Sequence, residues 1–184
     1  YELILWQNDG SPFSGLWPQN DIGASSDHIE TVSVGDLDNN GYLDIVTGID
    51  QVSYEIKVWQ NNGSPFTGTW SSNDVGEVDD DMEIVKLDDL DNDGDLDIVT
   101  ANYNNGISIY TQSSITGWTH DGFNPADRDR NLTDIPTNRV FTIDLDQDGD
   151  MDVVGGSAGG SGANDYVAWF EKNGSESFTA HTFA

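Results

Sequence analysis

The chain has 184 residues, 34 of them acidic against 6 basic, for a formal charge of -28, with no cysteine and 35% hydrophobic content. Such a balance repels nucleic acid and anionic membrane surfaces, rules out disulfides and thiolate metal sites, and makes cations the natural partners. No apolar run approaches the roughly 20 residues of a membrane helix, while 20 glycines and abundant Asn, Asp and Ser indicate many tight turns, the composition of an all-β protein.

The chain opens on Tyr1, which reads as the start of a processed or excised segment. The first recognisable unit is WQNDGSPFSGLW from Trp6, followed by strand-like sequence after Trp17, and residues 1–28 form an expected half-repeat. Residues 29–81 form the first full repeat. A short strand carries Val32, and then comes GDLDNNGYLDIVTG, starting at Gly35. After it the apolar run Leu43 to Val46 predicts a strand covered on both faces. Tyr54, Ile56 and Val58 alternate with Glu55, Lys57 and Trp59, and Asn62-Gly63 closes the run as a hairpin turn would. A fourth strand follows near Trp70.

Residues 82–138 repeat the pattern with Val85, DDLDNDGDLDIVTA from Asp88, the run Leu96 to Val99, and a weaker echo of the tryptophan unit from Ile109. This copy is longer, with an insertion at 121–138 that reads as exposed. The three arginines Arg128, Arg130 and Arg139 lie in or directly beside it, and Asn131 within it begins a glycosylation sequon, as Asn62 and Asn173 do elsewhere. Residues 139–184 bring Val140, IDLDQDGDMDVVGG from Ile143, Met151 to Val154, and WFEKNGSESF from Trp169. The loop aspartates Asp36, Asp89 and Asp144 set a period of 53 and then 55 residues, the size of a four-stranded unit. Four tryptophan units against three aspartate loops imply about three and a half repeats, with half-repeats at Tyr1 to Ile22 and Asp165 to Ala184.

Each loop reads D-x-D-x-[DN]-G-x-x-D. Calcium takes six to eight oxygens at about 2.3 to 2.6 Å, and alternate residues of a tightly curled loop can all point at one ion. The expected ligands are Asp36, Asp38, Asn40 and Asp44; Asp89, Asp91, Asp93 and Asp97; and Asp144, Asp146, Asp148 and Asp152. Position 7 is expected to give only its backbone carbonyl, from Tyr42, Asp95 and Asp150. Gly41, Gly94 and Gly149 at position 6 permit the positive φ that the turn needs. An EF-hand would require a bidentate Glu at position 12 and flanking helices, but Thr47, Thr100 and Gly155 stand there and strand-like sequence follows. An Asp-rich turn that binds nothing would pack three repelling carboxylates in the first copy and four in each of the others, which makes three Ca2+ sites the better reading.

The loops and their trailing strands, LDIVTG, LDIVTA, MDVVGG and YEIKVWQNNG, resemble the FG-GAP or VCBS repeat family, which includes the calcium-binding blades of integrin α-chain propellers. The resemblance implies a β-propeller-type array of four-stranded antiparallel blades with calcium loops between first and second strands. Family rings hold more blades than this chain supplies, so its open ends require cover, by self-association or another extracellular protein. The resulting expectation is a non-catalytic, calcium-stabilised, extracellular or cell-surface module for adhesion or self-assembly, such as a subunit of a surface filament or layer. The alternative is a lectin or polysaccharide lyase with a glycan partner, for which the arginine-bearing insertion is the only candidate. The recurring tryptophans are expected to pack between repeats, His28, His120 and His181 to be surface or turn residues, and the acidic run Glu77 to Glu83 to be a solvated connector.

Overall fold

The computed structural model describes residues 1–11, 13–25, 27–50, 55–77, 82–102, 106–120, 137–157, 166–174 and 178–183. Tyr54, the middle of the acidic run, Arg128, Arg130, the Asn131 sequon and nearly all of the expected insertion lie outside these residues. Among the described residues the period-2 alternation is realised as 14 strands. A hairpin of β1 (Glu2–Trp6) and β2 (Gln19–Ala24) is followed by three sheets of four strands each. The first contains β3 (His28–Gly35), β4 (Asp44–Asp50), β5 (Glu55–Gln60) and β6 (Ser71–Glu77). The second contains β7 (Met82–Asp88), β8 (Asp97–Asn102), β9 (Gly106–Ser114) and β10 (Gly117–His120), and the third β11 (Arg139–Ile143), β12 (Asp152–Ser157), β13 (Tyr166–Lys172) and β14 (Phe178–Phe183). In every sheet the strands pair antiparallel with their sequence neighbours, and no pairing among the described residues joins two sheets or closes a barrel.

Two sequence expectations change here. The second strand of each repeat begins at the last loop aspartate, Asp44, Asp97 or Asp152, one residue after the apolar run was expected to start. Leu43 accordingly belongs to the loop and is exposed. Residues 166–183 are not a free half-repeat, because β13 and β14 pair in register with β12 and complete the third sheet.

The sheets stack face to face, and each junction buries one apolar cluster. Leu37, Val46, Ile56 and Val58 of the first sheet's repeat meet Met82, Val85, Ile98 and Tyr110 of the second. Leu90, Val99, Ile107 and Ile109 of the second meet Val140, Val153, Ala168 and Phe170 of the third. A smaller cluster joins Ile22 of the hairpin to Ile45 and Trp59. Polar bonds pin the first junction, where Ser33 Oγ donates to Val85 O at 2.7 Å and Val85 N–H donates to Thr31 Oγ1 at 3.2 Å.

A glycine in the fourth strand admits an aromatic from the next sheet. A β-carbon on Gly23 would lie 2.0 Å from the Trp59 ring, and one on Gly76 would lie 2.9 Å from the Tyr110 ring. Trp59 is buried between repeats, and the partly buried Trp70 and Trp118 pack against the junction clusters, while Trp17 and Trp169 are partly buried and Trp6 is exposed. His28 opens β3 and hydrogen-bonds the Tyr1 hydroxyl, His181 on β14 pairs with Glu171 at 2.6 Å, and His120 ends β10.

Candidate metal centre

The three aspartate loops adopt one conformation, and backbone hydrogen bonds to their own carboxylates produce it. In the first loop Asn40 N–H donates to Asp36 Oδ1 at 3.0 Å and Asp38 Oδ1 at 3.2 Å, while Gly41 N–H donates to Asp36 Oδ2 at 2.8 Å. The second repeats this with Asp93 N–H to Asp89 Oδ1 at 3.1 Å, Asp93 N–H to Asp91 Oδ1 at 3.2 Å, and Gly94 N–H to Asp89 Oδ2 at 3.0 Å. In the third, Asp148 N–H reaches Asp146 Oδ1 and Gly149 N–H reaches Asp144 Oδ2, both at 3.2 Å.

The curl demands left-handed backbone at two positions. Gly41, Gly94 and Gly149 have φ of 88°, 95° and 98°, with nothing within 4 Å of a built β-carbon, so glycine is there for its backbone and not for space. Position 4 is also left-handed, with φ of 57° at Asn39, 62° at Asn92 and 66° at Gln147. Asn is among the few non-glycine residues that adopt this region readily.

This conformation brings three carboxylates of each loop within 4.8 Å of one another: Asp36, Asp38 and Asp44; Asp89, Asp91 and Asp93; Asp144, Asp146 and Asp148. Asn40 and Tyr42 complete the first loop's expected donors, and Asp95 and Asp150 hold position 7 in the others. Position 9 has a second role that spacing alone did not reveal. Asp44, Asp97 and Asp152 are each 0% exposed. One oxygen of each accepts the N–H of position 2, Leu37, Leu90 or Leu145, at 3.0, 2.8 and 3.0 Å. The other accepts an N–H from near the end of the third strand, that of Asn61, Gln112 or Lys172, at 2.8, 2.8 and 2.9 Å. Position 9 therefore fastens the loop to its sheet, and each oxygen keeps a lone pair for a cation.

Burial and carboxylate crowding both disfavour the charged form in these loops. Burial pushes the Asp97 carboxyl up to about 6, backbone hydrogen bonds oppose the shift, and Asp91 adds to it. Asp44 is raised by burial, with Asp38 and Asp36 contributing, and Asp91 is raised by burial and then by Asp93 and Asp89. Asp144 Oδ1 is buried without a hydrogen-bond partner, although the matching oxygens of Asp36 and Asp89 accept one. A buried carboxylate oxygen left bare beside two other carboxylates suits an all-oxygen cation shell. The donor chemistry therefore fits a hard divalent cation, for which the clustered carboxylates of positions 1, 3 and 9 in the first loop and 1, 3 and 5 in the others would be the nearest ligands.

Adjacent loops also touch, which the sequence did not signal. Asn39 Nδ2 donates to Asp95 Oδ1 at 2.7 Å, and Asn92 Nδ2 donates to Asp150 Oδ1 at 2.9 Å, each running from position 4 of one loop to position 7 of the next. The position 7 side chains of the second and third loops thus have a structural role that the sequence reading did not give them. The equivalence of two partners some 55 residues apart would have had to be guessed from the repeat.

Residues 89–155, spanning the second and third loops, match the FG-GAP-like repeat family. No curated protein matches the chain.

Proposed function

From an FG-GAP-like repeat over residues 89–155, we infer that the chain is a non-catalytic, calcium-stabilised module of propeller-type blades that serves adhesion or self-assembly outside the cell. The observation that carries this reading is the threefold recurrence of one loop conformation with three carboxylates inside 4.8 Å. Calcium in each loop neutralises that cluster and ties the first strand of a sheet to the second. Because the ion binds the folded loop and not the unfolded chain, it adds stability by mass action, and extracellular calcium levels suit a module of this kind. The first site, with Asn40 in place of a carboxylate, binds most weakly.

Chelation tests the reading directly. Removing calcium from the full chain is expected to lower its melting temperature by many degrees, and restoring calcium, but not an equal ionic strength of sodium, to recover it. A melting curve unmoved by chelator would overturn the proposal.

Self-assembly is supported by one face of the third sheet. Leu37 and Leu90 at loop position 2 are 0% and 2% exposed because a further sheet covers each, whereas the equivalent Leu145 is 46% exposed. Phe141, Ile143, Val167 and Phe183 are exposed on the same sheet, where Ile56 and Ile107 at the position of Val167 are buried. An apolar face of this extent suits a further sheet, supplied by a second copy in a surface filament or layer or by more of the same repeat array.

A further inference from the structure

We propose that adjacent aspartate loops bind their cations cooperatively, through two straps that run from each loop to ligand-bearing residues of the next; the inference rests on the calcium reading of the loops. The first strap is the side chain of position 4. Asn39 and Asn92 sit at φ of 57° and 62°, an orientation imposed by the curl of their own loops, and it aims their amides outward at the following loop. There Asn39 Nδ2 reaches Asp95 Oδ1 at 2.7 Å and Asn92 Nδ2 reaches Asp150 Oδ1 at 2.9 Å. Asp95 and Asp150 in turn donate their N–H groups to the position 5 carboxylates, Asp93 Oδ1 and Asp148 Oδ1, both at 2.9 Å. Position 7 is therefore held by its neighbour through the side chain and by its own loop through the backbone, with the ligand carbonyl between the two.

The second strap runs deeper and ends on position 9. Gln112 Nε2 donates to Leu37 O at 2.6 Å, and Gln112 N–H donates to Asp97 Oδ1 at 2.8 Å. At the next junction Lys172 takes the same place, its ammonium on Leu90 O and its N–H on Asp152 Oδ1 at 2.9 Å. One residue thus grips the position 2 carbonyl of one loop and the position 9 carboxylate of the following one, at both junctions.

The physical consequence follows from ordering. Without a cation, the clustered carboxylates repel and the curl loosens, which releases the position 4 side chain and the position 2 carbonyl together. A cation in one loop fixes both, so position 7 and position 9 of the next loop are placed before their own ion arrives, and that ion meets a smaller ordering cost. The coupling is reciprocal by linkage, and the first and third loops communicate only through the second.

The test is a calcium titration of the full chain followed by hydrogen exchange, which reads a separate midpoint from the amides of each loop. Asp91→Ala, which empties the second loop, is expected to raise the third loop's midpoint by roughly fivefold or more, the lower end of typical coupling. Asn92→Gly keeps the left-handed backbone and removes only the amide; it is expected to raise the third midpoint while the second loop still fills. The two changes together should be no worse than Asp91→Ala alone. Asn39→Gly, read at the second loop, repeats the comparison at the other junction should the first variant fold poorly. A third-loop midpoint unchanged by Asp91→Ala, or by Asn92→Gly with the second loop filled, overturns the coupling and leaves the sites standing as independent. Absence of calcium-dependent protection in all three loops of the unaltered chain overturns the calcium reading itself and the coupling with it.

Discussion

Asp44, Asp97 and Asp152 carry two duties that mutation can separate. Each carboxylate accepts two buried backbone N–H groups and also stands at a ligand position. Removing such an acceptor leaves two donors unpaired, at a cost of about 1–3 kcal/mol each. Asp97→Ala is therefore expected to destabilise the chain by about 2–5 kcal/mol in chelator, and by more in calcium, where a ligand would be lost as well. Asp93→Ala removes an exposed carboxylate and is expected to change stability by under about 0.5 kcal/mol in chelator, yet to erase part of the calcium-induced gain. Urea denaturation of both variants, with calcium and with chelator, checks the contrast. Equal losses in the two conditions for both variants would mean that position 5 is structural and not a ligand.

At the scale of elements, the junctions depend on matched pairs that neither strand reveals alone. Gly76 faces Tyr110, and Gly23 faces Trp59, one residue of each pair lying on a fourth strand and the other on the third strand of the next sheet. The Gly76 contact leaves no space for a methyl group, and the ring opposite it is packed in the buried cluster of that junction. Gly76→Ala is expected to cost about 1–3 kcal/mol through overpacking, whereas Gly156→Ala, on a strand in open space, should cost under about 1 kcal/mol. Thermal melts of the two variants supply the comparison. The alternation in Ile56 and Val58 against Trp59 made the strand itself legible, but its partner glycine could be assigned only once the sheets were stacked.

For the whole molecule, charge and the uncovered face act in opposite directions. A formal charge of -28 keeps copies apart, and on the proposed function calcium in the loops would lower that charge. Leu145 lies on the exposed face, so Leu145→Asp is expected to leave the melting temperature nearly unchanged while abolishing calcium-dependent association. Light scattering with and without calcium reads this outcome. Persistent association of the variant would place the contact on another surface.

The sequence by itself determined the local chemistry. The nine-residue loops, their glycines, the all-β class and the number of aspartate-bearing units are written in short stretches, because a turn that needs positive φ or a strand that needs period-2 burial constrains its own residues. It also named the donors of positions 1, 3, 5 and 9, of which the fold gathers the aspartates of positions 1, 3 and 9 in the first loop and 1, 3 and 5 in the others. What only the tertiary structure decided is everything that depends on two repeats at once. Val32, Val85 and Val140 look alike in sequence, yet Val32 is exposed and the others are buried, since burial depends on whether a sheet lies opposite. The links from Asn39 to Asp95 and from Asn92 to Asp150 arise the same way, because stacking sets which loop neighbours which, and no single loop encodes its neighbour.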